Sequence, residues 1–194
     1  MIELPIDAEL DVGGWDLRKA LRLLDKSNPT LWEWLRSPIV YREQPETAVA
    51  LSRLAQRFHS PIRAWHHYLS MAKGNYRGYL QGESVRTKKY LYVLRPLLAC
   101  AWIEREPSPP PMAFEALLER SLPDGPVRAA IDALLVLKRR SAEVAAGPRI
   151  AAISDFIDRQ LAAFASASPR LGDREGRPEE LDAFLREAIG FKSD

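Results

Sequence analysis

From Pro61 to Ile103 the apolar residues recur at helical intervals twice over, which restricts this part of the chain to two helices joined by a turn. In the first helix Trp65, Leu69, Ala72, Tyr76 and Leu80 form one stripe, while His66, Ser70, Lys73 and Arg77 form another. In the second, Leu91, Leu94, Leu98 and Trp102 are the apolar stripe, with Lys88, Tyr92 and Arg95 one turn apart beside Lys89. Gly78 and Gly82 weaken the first helix near its end and let the chain reverse. Antiparallel packing through the apolar stripes is expected to bring Lys73, Arg77, Lys88 and Arg95 to one groove.

Charge sets this stretch apart. It holds seven Lys/Arg against one acid, Glu83, about +6 where the whole chain carries +2, and five of the six tyrosines. A helix face built only for solubility mixes both signs in i,i+4 pairs. Here those partners are missing, so an external anion such as phosphate can supply them.

The 194 residues suffice for one sizeable core or two small lobes, and 46% hydrophobic with 28% charged residues is ordinary for a globular chain. The single cysteine, Cys100, allows no disulfide within the chain and favours a reducing cytoplasm. No apolar run is long enough to span a bilayer, so no membrane partner is expected.

The first dozen residues, IELPIDAELDV, alternate like a strand, and Asp7, Glu9 and Asp11 project from one face at two-residue spacing. Gly13-Gly14 is expected to end that strand, and the chain offers it no obvious partner. It should therefore be poorly protected or pair with another molecule. Helical patterns follow from Trp15 to Leu24, from Pro29 to Leu35 and over 45–58, with Asn28 suited to capping the first of these and a strand-like Ile39-Val40-Tyr41 between the last two. The prolines of EREPSPPPM forbid a helix and favour an extended linker. Beyond it lie helical stretches at about 112–121, 126–146, 149–165 and 179–190, whose Ala/Leu faces read as bundle packing. The expected division is a strand segment 1–14, a helical domain 15–106 with the basic aromatic helix pair, a proline-rich linker 107–111 and a C-terminal helical region 112–194. The fold class is mainly α.

No G-x-x-x-x-G-K-[ST], G-x-S-x-G or G-x-G-x-x-G occurs, and a lone cysteine excludes a cysteine-based zinc site. His66 and His67 are adjacent, so on a helix they point about 100° apart and do not share a metal easily. The comb of Asp7, Glu9 and Asp11 is the better candidate for magnesium, because two-metal phosphoryl-transfer sites hold their cations with carboxylates on strands.

Three blocks, DLRKALRLLDKSNPTLWEWLRSPIVYR, HHYLSMAKGNYRGYLQGESVRTKKYLYVLRPLLACAWIE and PPPMAFEALL, resemble the nucleotidyltransferases of the DNA polymerase beta superfamily associated with RNA repair. The resemblance covers about residues 1–120. It implies nucleotidyl transfer from a nucleoside triphosphate to an RNA end or similar acceptor, with magnesium as cofactor. It also implies a Gly-Ser motif and a downstream Asp-x-Asp pair. No Gly-Ser dipeptide occurs in the 194 residues. The chain is thus expected to start at the strand after that pair, where Asp11 best matches the third metal-binding carboxylate of the family and Asp16 is second.

On this reading the chain alone is inactive, being either a shortened frame or a fragment that works with a separate catalytic chain or upstream-encoded domain. In the same scheme Lys88, Lys89 and Arg95 would clamp triphosphate oxygens, Lys73 and Arg77 would hold the acceptor or outer phosphates, and Tyr92 would stack on a base. The alternative is a non-catalytic helical module that binds RNA or a partner protein.

Overall fold

The computed structural model describes residues 2–5, 11–140, 146–167 and 169–190, with the side chains of 2–5, 11 and 140 outside the description. The fold is mainly α. It divides into two compact units, residues 1–63 with 173–194 and residues 64–172.

The first unit opens on a hairpin: β1 (Ile2–Pro5) pairs antiparallel with β2 (Asp11–Gly14), Ile2 opposite Gly14 and Pro5 opposite Asp11. This corrects the expectation of one strand without a partner. The chain supplies the partner itself, and Gly13 and Gly14, paired with Glu3 and Ile2, are the residues on which β2 ends. Asp7 and Glu9 lie outside the described residues.

Asp16 caps α1 (Leu17–Asp25), accepting a hydrogen bond from the Lys19 backbone N–H at 2.8 Å. Asn28 caps the start of α2 (Pro29–Leu35) rather than the end of α1, and Pro29 occupies the first turn, where its missing N–H costs nothing. Between them Ser27 has a positive φ of 52° and is buried. Its hydroxyl donates to the Phe58 carbonyl at 2.8 Å and accepts from the Ser60 N–H at 3.1 Å, locking this turn to the end of α3 (Pro45–Phe58). Ile39-Val40-Tyr41 is an exposed loop, not a strand. A β-prone triplet with no neighbouring strand has nothing to pair with.

The core of this unit joins Leu21, Leu24 and Phe58 to Leu181 and Phe184 of α9 (Pro178–Ala188). The returning segment is fixed by the Gly176 N–H, which donates to the Arg57 carbonyl at 2.8 Å, at a point where any Cβ would overlap the Phe58 ring. Arg57 also forks onto the Glu180 carboxylate at 2.7 and 3.0 Å.

The second unit holds the basic helix pair. The chain enters it along α4 (Pro61–Tyr79), turns through β3 (Ser84–Arg86) and returns as α5 (Thr87–Arg105). The pair is antiparallel, as expected. The Cys100 thiol meets the Trp65 carbonyl at 3.5 Å, the Trp65 indole N–H donates to Glu104 at 3.1 Å, and Asn75 reaches the Tyr92 carbonyl at the other end. Trp65, Leu69, Ala72 and Leu80 are buried, as are Leu94, Leu98 and Trp102.

α6 (Phe114–Ser121), α7 (Pro126–Arg140) and α8 (Ala151–Ser166) complete this core through Leu117, Leu118, Ile131, Ile153 and Ile157. α7 is described as far as Arg140, residues 141–145 lie outside the description, and β4 (Ala146–Pro148) pairs with β3. The proline segment forms no helix, as its composition requires, but it lies within the second unit and is tied down. Trp102 Nε1 donates to Ser108 at 3.3 Å, Arg95 donates to the Met112 carbonyl at 2.9 Å, and Arg120 pairs with Glu106 at 3.0 Å.

Candidate nucleotide-binding cleft

Lys88, Tyr92 and Arg95 follow one another at four and three residues on α5, so they fall within an arc of about 60°. They line a cleft of about 320 Å³ with Leu91 of the same helix, Phe114 and Glu115 of α6, and Leu135 and Lys138 of α7. Two leucines and a phenylalanine make the walls apolar and three cations make the rim positive. Lys88 and Lys138 form no ion pair among the described residues.

The carboxylate in the lining, Glu115, is already engaged. A bond from its own backbone N–H and, after that, the Arg139 guanidinium at 3.2 Å hold its carboxyl below the ordinary carboxylate range. The cleft therefore presents an excess of positive charge, three cations against one carboxylate that Arg139 binds and Lys138 also attracts, over an apolar floor, which is what a phosphate attached to a flat, weakly polar body needs.

The sequence-predicted residues separate into three sets. Lys88, Tyr92 and Arg95 come together as expected, but Arg95 also has a structural task. Its guanidinium donates to the carbonyls of Met112 at 2.9 Å and Pro111 at 3.4 Å, clamping the proline segment along one wall. Lys89 does not line the cleft. Its ammonium sits 3.7 Å from the Tyr79 ring centroid and 4.7 Å from that of Tyr92, so it spaces two aromatic rings and orients Tyr92.

Lys73 and Arg77 do not join the groove either. Asn75 faces α5, and residues two positions to either side of it lie about 200° or 160° away around the helix, pointing elsewhere. The expectation that four cations converge fails because the shared stripe of one helix fixes their phase on that helix, not which side meets the neighbour.

Asp11 lies on β2 in the first unit, opposite Pro5, with its side chain outside the description. Asp16 is committed to capping α1. Among the described residues no group of three or more His, Cys, Asp or Glu could hold a metal ion. No helix among them is long and apolar enough to cross a membrane. Lys138 is the cleft cation that the sequence reading does not single out, along with the lining residues Phe114, Glu115 and Leu135. The Lys138-Arg139-Arg140 run at the end of α7 is its visible signal in the sequence.

The profile of the RNA repair pathway DNA polymerase beta family matches residues 1–187. The match extends well past the 120 or so residues that carry the recognisable blocks, so α7, which supplies Leu135 and Lys138, belongs to the shared architecture. The uncharacterized protein YcgL of Bacillus subtilis (strain 168) is 41% identical over 190 residues, covering 97% of this chain and 73% of that protein. No solved structure matches.

Proposed function

The chain belongs to the RNA repair pathway DNA polymerase beta family, and on that premise we propose that its α5–α6–α7 cleft binds the phosphates of a nucleoside triphosphate for nucleotidyl transfer to an RNA end or similar acceptor. The observation that carries this reading is the rim of Lys88, Arg95 and Lys138, three cations against one neighbouring carboxylate, Glu115, which Arg139 binds at 3.2 Å. Lys88 and Lys138 take the outer phosphate oxygens as mobile point charges. Arg95, held by two carbonyls, adds fixed positive charge. Tyr92, 46% exposed and braced by Lys89, offers its ring to the base.

Magnesium, which the family resemblance implies, needs clustered oxygen ligands. No such cluster occurs among the described residues, and the side chains of Asp7, Glu9 and Asp11 lie outside them. A separate catalytic chain or upstream-encoded domain is the proposed source of the remaining metal-binding carboxylates. The same observation favours a second reading, a non-catalytic module that binds nucleotide or RNA for a partner.

Equilibrium dialysis with labelled ATP tests the cleft. Affinity is expected to fall at least about tenfold in Lys88→Ala/Lys138→Ala, a charged contact being worth roughly 1–3 kcal/mol, and to fall as salt rises. An unchanged affinity in that variant sinks the assignment. Incubating the chain with magnesium, labelled triphosphate and RNA separates the two readings. No labelled RNA is expected from this chain alone, and turnover would remove the non-catalytic one.

A further inference from the structure

The first unit carries a second cationic surface, wholly its own. At 100° per residue, Arg18, Lys19 and Arg22 of α1 and its C-cap residue Lys26 fall within an arc of about 100°, and Trp15 stands just before the N-cap Asp16. Arg18, Arg22 and Lys26 repeat every four residues, about 6 Å apart along the axis, close to the interval at which an extended phosphodiester strand presents its charges. They rim a cleft of about 500 Å³ floored by Leu21, Leu181 and Leu185.

None of the three forms an ion pair among the described residues. Of the two carboxylates in the lining, Asp25 is taken by Arg174, which leaves Asp182. No acid stands at i,i+4 from these bases or from Lys19, and of the two at i,i+3, Asp25 is taken by Arg174 and Asp16 caps α1.

Aromatic geometry at the N-terminal end of the rail narrows the ligand. Trp15 and Trp34 stack with centroids 4.3 Å apart and planes tilted by 34°, and the Lys19 ammonium stands 5.6 Å from the Trp15 centroid. Trp34 is 45% exposed. A large indole held rigid by one face, with part of its surface open beside a row of cations, is how proteins bind single strands without reading sequence. The leucine floor offers no donors or acceptors for base edges.

We infer that this face of α1 binds single-stranded nucleic acid, with phosphates along Arg18, Arg22 and Lys26 and a base stacked on Trp34. The inference does not rest on the α5 cleft, which lies in the other unit. An acidic peptide is the competing occupant, but it has no use for an indole platform and would leave Trp34 as it is.

Fluorescence anisotropy with a labelled oligouridine is the test, with urea unfolding of each variant to establish that it is folded. Arg18→Gln/Arg22→Gln/Lys26→Gln should weaken binding at least about tenfold and reduce the slope of log K against log salt by about 2, at about 0.7 per phosphate contact to a single strand. Trp34→Ala should weaken binding about tenfold with the slope unchanged, and Trp34→Tyr should restore most of it. ATP affinity should survive in all three variants, which separates failure here from failure of the α5 cleft. An unchanged slope in the triple variant overturns the inference, as does polyglutamate binding as tightly as oligouridine.

Discussion

His59 sits edge-on to Trp32 with ring centroids 5.3 Å apart, and neither of its nitrogens nor Trp32 Nε1 finds a hydrogen-bond partner among the described residues. Burial, and after it the positive charge of Arg36, lowers its pKa from 6.5 to about 4. The unfolded chain thus binds more protons than the folded one between those values. Stability is whole above pH 6.5 and is lost as the pH falls towards 4. From pH 7 to pH 5 the loss should be about 2 kcal/mol, read as a lower urea midpoint. His59→Phe, which keeps a ring against Trp32, should flatten that part of the pH profile, and an equal drop in this variant would show that other groups cause it. None of this was legible in the sequence, because His59 follows α3 while Trp32 and Arg36 belong to α2 and its cap. The same limit explains the cleft. The phase of Lys88, Tyr92 and Arg95 on one helix could be counted, whereas the outward turn of Lys73 and Arg77 depends on which faces of two helices meet.

Pro96 in the middle of α5 shows how elements compensate one another. A proline at this position has no N–H for the Tyr92 carbonyl one turn back, and that carbonyl would be left unpaired. Asn75 of α4 supplies the missing donor, its side-chain amide reaching Tyr92 O at 2.9 Å. Asn75→Ala should therefore destabilise the protein by about 1 kcal/mol. In a Pro96→Ala background the helix can bond the Tyr92 carbonyl itself, and the cost of losing Asn75 should fall, giving a coupling of about 0.5–1 kcal/mol. Urea unfolding of the four proteins measures it, and equal costs in both backgrounds would mean that Asn75 does not substitute for the missing N–H. At this scale the sequence was most informative. Periodicity, caps and prolines place the helices to within a few residues, since those signals are local. The hairpin was not legible, because Gly13-Gly14 reads as a terminator and nothing local says that Ile2–Pro5 folds back on Asp11–Gly14.

Across the whole molecule, the two units differ in how much of the chain each one needs. Trp65, Tyr90, Leu98, Ile131 and Ile157 are buried together and all lie within residues 64–172. The first unit instead closes the core of α1, α2 and α3 with Leu181 and Phe184, which arrive only after the second unit has been traversed. Sequence reading could not find this division, because the prolines of 107–111 mark a break in helix, not in core, and the partnership of α1 and α3 with α9 is made across most of the chain. A piece comprising residues 61–172 should fold alone, with a single sigmoidal urea transition and helical circular dichroism, and should retain ATP binding in its α5 cleft. Residues 1–60 alone should not, since without α9 the apolar faces of Leu24 and Phe58 stay open to water and the cost of ordering three short helices is not offset. Joining 1–60 to 173–190 through a flexible linker should restore cooperative unfolding. A cooperative transition in 1–60 by itself would show that α9 packs on a unit already formed, and the core would then have to be complete without Leu181 and Phe184.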